Sequence, residues 1–500
     1  MRTIPDFARQ RALLTPDAIA FRDIAGGRAW TFKEVDQLAE RLAALLEARG
    51  LSQGDRVAVL CHNTPLFFVL LFACAKAAMI LVPLNWRQTA SELGPILADC
   101  DARLLLHDGA TASLAGGLSR ETGINCLAFD ACEKLAETVE PRSGCETTWP
   151  TDRIWYLLYT SGTTGKPKAV IQTPGMALAN YVNVRQATGL GPQDSTVNFL
   201  PLFHTAGINL HALPVFIAGG TSQVLAKFDV NPLLDLIEAG ALSIFFGVPA
   251  IYQAMSLHPR FQQMDFGRVR HWGCGGAPLP ENLIHAFRAK GALVCNGMGM
   301  TETGPTVFLM DPAHAREKIG SVGKPQIMSE VRLVDASGTV VGDDAPGEIQ
   351  FRGPNITPGY FNNPEATAAA FDGEWLKSGD VGRRDANGYY YIVDRIKDMY
   401  ISGGENVNPA EVEAVLHAHP AILEAAVIGV DDAKWGEVGH ACILLRPDHT
   451  LDEAEVRAWS RARLAAYKVP QHITFVETFP RTAAGKIQKH VLRGTRPERK

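Results

Sequence analysis

The sequence predicts a layered α/β protein with a small α+β domain after it, and three observations support this expectation. Helical and strand-like segments alternate up to about Lys318, short strands broken by glycine turns follow, and mixed helix and strand patterns return from Lys397. A chain of 500 residues is also too long for one hydrophobic core. We therefore expect an N-terminal domain over 1–396, with a small β-barrel-like unit at about 319–396, and a mobile C-terminal domain over 397–500.

The first elements follow from hydrophobic periodicity. The segment FKEVDQLAERLAALLEARG, residues 32–50, has apolar residues at helical spacing and a glycine stop, and DRVAVLCHN after it has the pattern of a buried strand. The apolar run FFVLLFACAKAAMILVPL, residues 67–84, is nearly long enough to cross a bilayer, but Lys76 lies at its middle and Pro83 near its end. We expect a buried helix that runs into a buried strand, and no membrane span.

Later segments define the rest of the architecture. The strand-like segments SQVLAKF, SIFFGVP, RVRHWGCGG and ALVCNGMG leave room for helices between them, which favours largely parallel sheets. The segments EVRLVDASGTVVGDDAPGEIQFRG and GRRDANGYYYIVDR contain Ser-Gly, Pro-Gly and Asn-Gly turns, which predict an antiparallel β unit. A compact α+β domain follows from the segments PAEVEAVLHAHP, AAVIGVDD, HACILLRP, EAEVRAWSRARLAAY and ITFVETFP.

Composition excludes several classes of function. The chain is 46% hydrophobic and 20% charged with a net charge of −5, which is ordinary for a globular protein and argues against nucleic acid as a partner. Its nine cysteines are scattered and never spaced C-x-x-C, which favours a reduced, cytoplasmic protein over a disulfide framework or a zinc site. Residues 1–15 contain no apolar h-region, so we expect no signal peptide.

The stretch YTSGTTGKPK, residues 159–168, predicts a phosphate site. Glycine lets backbone N–H groups approach an anion, hydroxyl groups donate to its oxygens, and lysine supplies charge. A Walker A loop has four residues between its glycines and a Ser or Thr after its lysine. Here Gly162 and Gly165 are separated by two residues, and Pro167 follows Lys166. A nucleotide would therefore be held in a different geometry and for a different reaction.

Six further segments each combine glycine or lysine with polar groups. Taken singly, each has an ordinary explanation as a tight turn, a core histidine or a solvated lysine. The segments are LPLFHTAG (200–207), GCGGAPLP (273–280), NGMGMTETG (296–304), WLKSGDVG (375–382), DRIKDMYISGGENVNPAEVE (394–413) and PRTAAGKIQK (480–489). In this order, from about Pro16 to Ile487, the chain resembles the adenylate-forming superfamily of acyl-CoA synthetases, peptide-synthetase adenylation domains and firefly luciferase.

The resemblance implies a reaction in two halves, with ATP, Mg²⁺ and coenzyme A. A carboxylate attacks the α-phosphorus of ATP to give an acyl-adenylate and pyrophosphate, and a thiol then displaces AMP. The first half needs positive charge and donors around the phosphate. The residues implied to hold the β- and γ-phosphates are Thr160, Ser161, Gly162, Thr163, Thr164, Gly165 and Lys168.

The resemblance also assigns the rest of the nucleotide. It implies that Thr301 contacts the α-phosphate, that Glu302 binds Mg²⁺, and that Asp380 and Arg395 bind the ribose. The implied adenine surface is Gly275, Gly276, Ala277, Gly297 and Met298. Met298 departs from the family, which commonly has a stacking aromatic residue there, although a thioether can cover a purine face.

The C-terminal domain contributes Lys486, which the resemblance makes the catalytic lysine of adenylation, since an ammonium can bridge the acid carboxylate and the α-phosphate. Lys397 occupies the position of the family's hinge, about which the domain rotates between the two half-reactions. The implied coenzyme A contacts are Gly403, Gly404 and Trp435. With Lys486, the candidate catalytic residues are Thr301, Glu302 and His204.

The acid pocket is implied to lie beneath His204. Its candidate residues are His204, Thr205, Ala206, Gly207, Asn209 and Gly299, with the glycines of the strands at 273–277 and 296–299 expected to leave volume. The pocket segments contain no lysine or arginine for a second carboxylate and no acidic residue for an amino group, which favours a neutral-tailed acid. The segments FGVPAIYQAM and REKIGSVGKP resemble synthetases for feruloyl, p-coumaroyl and medium-chain fatty acids, and we favour a phenylpropenoic acid such as ferulate or p-coumarate.

Other interpretations stay open on the sequence. These are a medium-chain fatty acyl-CoA synthetase, an adenylation enzyme that loads a separate carrier protein, and, in another class, a P-loop-type ATPase or kinase, which would release ADP instead of AMP. The expected partners are a small carboxylic acid and coenzyme A, and the protein is expected to be a monomer or a homodimer.

Overall fold

The structure, a computed structural model, describes residues 2–142, 145–160, 167–432, 434–482 and 485–494. Its first layer is a six-stranded sheet in which all neighbours run parallel except the first two, which pair antiparallel. In order across the sheet the strands are Lys168–Gln172, Tyr156–Thr160, Ile80–Pro83, Arg56–Leu60, Ala102–His107 and Asn125–Ala128. The largely parallel arrangement confirms the expectation from alternating helices and strands.

Helices cover both faces of this sheet. On one side lie Phe32–Ala48 and Pro65–Lys76, and on the other Ala90–Asp99 and Ala112–Thr122. All twelve residues of Pro65–Lys76 are buried, because Phe21 of a second sheet and Phe216 of the helix Ala212–Ala218 pack on the outer side of this helix. The apolar run is therefore a buried helix that leads into the strand Ile80–Pro83, as expected. Within the described residues no helix is long and apolar enough to span a membrane.

The second layer holds two neighbouring sheets. The first has the strand order Ser195–Asn198, Thr221–Val224, Ile19–Asp23 and Ala29–Thr31. The second has the order Ile244–Gly247, His271–Cys274, Val294–Met298, Phe308–Leu309 and Lys324–Pro325. The backbone N–H of Ser243 donates to the Ser195 carbonyl (2.9 Å), which places the two sheets edge to edge. The strands His271–Cys274 and Val294–Met298 are parallel, so their carboxyl ends meet at one edge.

The remaining helices of this region connect its strands. They are Phe7–Leu14, Phe129–Glu137, Pro174–Thr188, Ala212–Ala218, Val230–Glu238, Pro249–Leu257 and Glu281–Ala289, with a π-helix at Ala206–Leu210 and 3-10 turns at Pro259–Gln263 and Thr301–Thr303. A short antiparallel pair, Thr3–Pro5 and Thr148–Pro150, lies beside the first helix.

The predicted β-rich unit is an antiparallel sheet with one short helix, Pro364–Ala370. Its strands are Glu330–Val334, Gly347–Arg352, Phe371–Asp372, Trp375–Arg384 and Tyr390–Arg395. The C-terminal domain is α+β, as expected, with a mostly antiparallel sheet flanked by helices. Its strands are Tyr400–Ser402, Glu405–Val407, Ile422–Asp432, Gly436–Leu445 and His472–Phe475, and its helices are Pro409–His417, Glu453–Arg461 and Lys489–Gly494, with a 3-10 turn at Ala466–Lys468.

A buried ion cluster joins the N-terminal helices. The Lys76 side chain is 0% exposed, and its Nζ lies 2.6 Å from both Asp6 Oδ2 and Asp36 Oδ1. Asp6 also accepts hydrogen bonds from the backbone N–H groups of Ala8 and Arg9, so it caps the helix that begins at Phe7. Burial raises the pKa of Asp6 against the opposing effect of Lys76. The ammonium therefore compensates two carboxylates that would be costly to bury alone.

We expect Lys76→Met to lower the free energy of unfolding by about 3–5 kcal/mol, because it leaves two buried carboxylates without a cation. Urea unfolding followed by tryptophan fluorescence measures this. The loss should shrink as the pH falls from 7 to 5, since uncompensated buried carboxylates have raised pKa values and bind protons more readily in the folded state. Lys33→Met, at an exposed lysine, is the control. Equal stability of the two variants would contradict this account of the cluster.

Candidate active site

Asp380 and Arg395 form the first fixed feature of the site. They are cross-strand neighbours on the antiparallel strands Trp375–Arg384 and Tyr390–Arg395, and Arg395 Nε lies 3.2 Å from Asp380 Oδ1. Asp380 is buried, and burial raises the pKa of its carboxyl, whereas Arg395 and Lys486 act to lower it. The pair thus presents a carboxylate held by a half-exposed guanidinium next to the catalytic lysine candidate.

Lys486 reaches this pair from the C-terminal domain. It follows a turn in which the Thr482 N–H donates to the Lys486 carbonyl (2.7 Å). A Cβ built on Gly276 would lie 3.6 Å from Lys486 Cε, and one built on Gly485 would lie 3.6 Å from Val248. The C-terminal turn therefore packs directly on the N-terminal domain, and Lys486 lies at the carboxyl edge of the parallel strands.

The charges around Lys486 come from the N-terminal domain. Burial and Arg395 lower the pKa of its ammonium to about 8, while Asp380 and Glu302 act in the opposite direction. The carboxylates thus favour the charged form of a lysine that burial disfavours. This is the arrangement that a phosphate-binding lysine needs.

Glu302 is the candidate magnesium ligand. It lies in the turn Thr301–Thr303 and is buried, and Tyr360 donates its hydroxyl to Glu302 Oε1 (3.0 Å). Burial raises the pKa of this carboxyl, and Lys168 and Lys486 act to lower it. Among the residues that the structure describes, no group of three or more His, Cys, Asp and Glu side chains could hold a metal ion. A single carboxylate supplemented by phosphate oxygens and water is how Mg²⁺ is often bound, so Glu302 fits that ion.

The phosphate loop joins two paired strands. Thr160 and Lys168 are opposite each other in the antiparallel ladder, and Thr160 Oγ1 donates to the Lys168 carbonyl (3.4 Å). Lys168 Nζ lies 5.1 Å from the centroid of the Tyr360 ring, whose hydroxyl contacts Glu302. The Lys168 end of the loop therefore lies on the Glu302 side of the site. The predicted contacts Ser161, Gly162, Thr163, Thr164 and Gly165 lie outside the described residues.

The candidate adenine surface has an open and a closed part. Gly276 and Ala277 are exposed at the ends of the strands, and Gly276 has φ +83°, which favours glycine. The Leu309 side chain covers Gly297, since its Cδ2 would lie 2.8 Å from a Cβ added to Gly297. Met298 packs, half-buried, against the core of the β-rich unit. A role of these residues in adenine binding stays a prediction.

The structure divides the predicted acid-pocket residues. The ring of His204 lies near Lys486, its Nε2 is buried without a partner among the described residues, and burial lowers its pKa to about 4. Ala206 lines a small cavity. Asn209, in contrast, is engaged within the protein, because it accepts a hydrogen bond from the Tyr156 hydroxyl (2.7 Å) and donates to Thr205 Oγ1 (3.1 Å). Contact of His204 and Ala206 with an acid stays a prediction, whereas Thr205 and Asn209 are hydrogen-bonded to each other within the protein.

The glycines do not leave the volume that the sequence suggested. Backbone fills the space beside two of them. A Cβ added to Gly207 would lie 2.3 Å from the Pro201 carbonyl oxygen, and one added to Gly299 would lie 1.5 Å from the Pro305 carbonyl oxygen. The Phe246 ring fills the space beside Gly273 and Gly275, with ring atoms 2.8 Å and 3.0 Å from the added Cβ atoms. Glycine is needed at these positions because another group of the protein packs directly against the backbone.

The candidate coenzyme A residues lie apart from this cluster, on the C-terminal sheet. Gly403 and Gly404 form the turn between the strands Tyr400–Ser402 and Glu405–Val407, with φ +62° and +88°. The Gly403 N–H donates to the Trp435 carbonyl (2.9 Å), and the Trp435 side chain is 46% exposed. The structure therefore does not bring these residues and Lys486 to one place.

The predicted hinge, Lys397, is exposed in the connection that follows Arg395. Arg493, in the last described helix, donates to the Lys397 carbonyl (3.4 Å) and lies 3.2 Å from Asp398 Oδ1. The C-terminal helix therefore contacts the same connection about which a rotation would occur.

Sequence reasoning missed several residues of the site. Arg87 is close enough to His204 to lower its pKa, and Tyr360 and Phe246 contact Glu302 and the glycine strands, respectively. Tyr360 and Arg87 come from loops that carry no pattern. For Phe246 the sequence did contain an indication. Its strand, Ile244–Gly247, pairs in parallel with the strand His271–Cys274, and Phe246 lies opposite Gly273, so the two residues face the same side of the sheet.

Comparison with known proteins gives this geometry its context. The sequence model of the AMP-binding enzyme family matches residues 8–361, and that of the AMP-binding enzyme C-terminal domain matches residues 411–486. A feruloyl-CoA synthase from an Amycolatopsis species is 41% identical over 484 residues, 97% of each chain. An indoleacetate–CoA ligase from Aromatoleum aromaticum is 35% identical over 93% of each chain.

Solved structures of CoA synthetases are similar to this chain over nearly its whole length. The o-succinylbenzoate CoA synthetase from Bacillus subtilis, in complex with the acyl-adenylate intermediate OSB-AMP, has a TM-score of 0.90 at 32% identity and 99% coverage of both chains. The same synthetase in complex with ATP and magnesium ion has a TM-score of 0.88, with the same identity and coverage. The chain belongs to the AMP-binding enzyme family, as an acyl-CoA ligase with a large N-terminal and a small C-terminal domain.

Proposed function

We propose that the protein is an ATP-dependent carboxylic acid:CoA ligase whose acid is a phenylpropenoic acid such as ferulate or p-coumarate. The position of Lys486 is the observation that supports the chemistry, because it brings an ammonium from one domain between Asp380 and Glu302 of the other. The acid is supported by the feruloyl-CoA synthase that this chain resembles at 41% identity over nearly all of its length.

In the first half-reaction a carboxylate oxygen of the acid attacks the α-phosphorus of ATP, and the bond from that phosphorus to the bridging oxygen breaks to release pyrophosphate. Lys486 lies between the two anions and offsets their repulsion as they approach. His204 contributes no charge, since burial lowers its pKa to about 4, so it can lie against the acid carboxylate as a neutral donor or acceptor.

The other residues orient the nucleotide. Asp380 accepts hydrogen bonds from the ribose hydroxyls while Arg395 holds its carboxylate, and Thr160 and Lys168 position the departing phosphates. Glu302 would hold Mg²⁺, which when bound neutralises phosphate charge. The Gly276–Ala277 strip is the exposed edge against which the adenine lies.

In the second half-reaction the thiolate of coenzyme A attacks the acyl carbon, the bond to the phosphate oxygen breaks, and AMP leaves as the thioester forms. The packing of Lys486 beside Gly276 supports assigning this domain arrangement to the first half-reaction. Rotation about Lys397 would withdraw Lys486 and bring in the turn of Gly403 and Gly404, which contacts Trp435.

We expect Lys486→Ala to lower the rate of acyl-adenylate formation by roughly 10²–10³-fold, the effect of removing one preorganised charge at a transition state. Thioester formation from synthetic acyl-adenylate should change much less, because the lysine is withdrawn in that step. Single-turnover assays of the two halves measure this. Lys489→Ala, three residues away, is the matched control. An equal fall in both halves of the Lys486 variant would refute the assignment.

The pH dependence should differ between the halves. Adenylation needs the charged ammonium, so its kcat/KM should fall as the pH rises through about 8, the pKa to which burial lowers Lys486. Thioester formation should instead rise toward the pKa of the thiol, since the thiolate is the nucleophile. Rate profiles between about pH 6.5 and 9.5 measure both limbs. Parallel profiles would show that Lys486 does not control the first step.

The acid is tested by a panel in a pyrophosphate-release assay with AMP quantified. Ferulate and p-coumarate should have the highest kcat/KM, and AMP and pyrophosphate should form in equal amounts. Equal rates with octanoate and ferulate would defeat the preference for a phenylpropenoic acid. Formation of ADP and orthophosphate would defeat the reaction class.

A further inference from the structure

Two buried histidines of the N-terminal domain lie outside the proposed catalytic set. His211 precedes the helix Ala212–Ala218 and His271 begins the strand His271–Cys274. They are 7% and 5% exposed, respectively, and are close enough that His271 affects the pKa of His211. Nothing in the first half-reaction as described above requires them.

Strand alternation places the His271 side chain on the same face of the sheet as the glycines near Lys486. Side chains at every second position of a strand point to one face, so His271 shares a face with Gly273 and Gly275. Those glycines lie under Phe246 and lead to Gly276, beside Lys486. Over four residues the strand spans about 13 Å, so the row runs from the adenylation edge to a histidine deep in the domain.

The His271 imidazole has hydrogen-bonding capacity that the described part of the protein does not use. Both ring nitrogens of His271 are buried without a partner among the described residues. His211 Nδ1 has one long contact, with Thr196 Oγ1 at 3.3 Å. Burial lowers the pKa of His211 to about 3 and that of His271 to about 4, so both rings are neutral. A neutral imidazole has one donor and one acceptor nitrogen, and leaving them unpaired is costly.

A small cavity lies against His211. It is lined by His211 together with Asn198, Leu200, Ala206, Leu210 and Phe246. The ring of His211 meets that of Phe246 edge to face, with centroids 5.9 Å apart. Phe246 thus lies between the glycines and His211, and an acid that reaches His211 packs on this ring or displaces it.

We propose that His211 and His271 form the distal end of the acid pocket and hydrogen-bond a hydroxyl group on the aromatic ring of the acid. The inference rests on the proposed function and adds the residues that bind the end of the acid farthest from its carboxylate. A site that pairs with a hydroxyl disfavours the analogue without it, because the buried imidazoles are then left unpaired. The pair therefore selects a para-hydroxylated ring over an unsubstituted ring.

The test compares p-coumarate with cinnamate, which lacks only the hydroxyl, by the kcat/KM of pyrophosphate release in the full-length enzyme. The wild type should prefer p-coumarate by roughly tenfold or more, the effect of one hydrogen bond in a buried site. In His271→Leu and His211→Leu the ratio should fall to about one while activity on cinnamate persists, and His271→Asn should restore part of it. His440→Leu, at a buried histidine of the C-terminal sheet, is the matched control and should keep the wild-type ratio.

The outcomes separate failure of the histidine assignment from failure of the proposed acid class. A wild-type ratio near one overturns the histidine assignment and needs no variant, so it stands even where a variant fails to fold. A ratio that survives both leucine variants overturns it as well. If neither aromatic acid is a substrate but alkyl acids are, the proposed acid class itself is wrong.

Discussion

The charge on Lys486 is the constraint that ties the two domains together. Burial lowers the pKa of this ammonium to about 8, and it keeps its proton at neutral pH with the help of Asp380 and Glu302, which belong to the other domain. Each of those carboxylates is itself buried with a raised pKa that Lys486 acts to lower. Docking the C-terminal turn therefore stabilises all three charged forms at once. Domain position and phosphate chemistry are then parts of one equilibrium, because separating the domains removes the counter-charges.

The strand pairing explains why the phosphate loop differs from a Walker A loop. In a Walker A loop the glycines lead into a helix, whose N-terminus contributes partial positive charge. Here the chain enters the antiparallel strand Lys168–Gln172, so no helix terminus follows the loop. Under the proposed function, the positive charge for the phosphates then comes from side chains, Lys168 at the end of the loop and Lys486 across the domain boundary. This agrees with a loop that holds a leaving group while the reaction occurs at the α-phosphate.

Sequence reasoning predicted the features that local pattern determines. The helix Phe32–Ala48, the buried strand Arg56–Leu60 and the buried helix ahead of Ile80–Pro83 all depend on residues within one segment. It could not predict contacts between segments, such as Tyr360 with Glu302, or the Phe246 ring that fills the space beside the glycines. A glycine in a sequence indicates that something lies close to its backbone, but only the packed structure shows whether that is a ligand, a ring or a carbonyl group.

The buried imidazoles are physically the opposite of the Lys76 cluster. In that cluster every buried charge has a partner within the protein, as expected where burial serves stability. His271 has two buried nitrogens that no described residue pairs with, which costs stability. Proteins tolerate such a cost mainly where it serves function. Because His271 shares its strand face with the glycines that lead to Lys486, its unpaired nitrogens are the feature that supports placing the far end of the proposed acid pocket here.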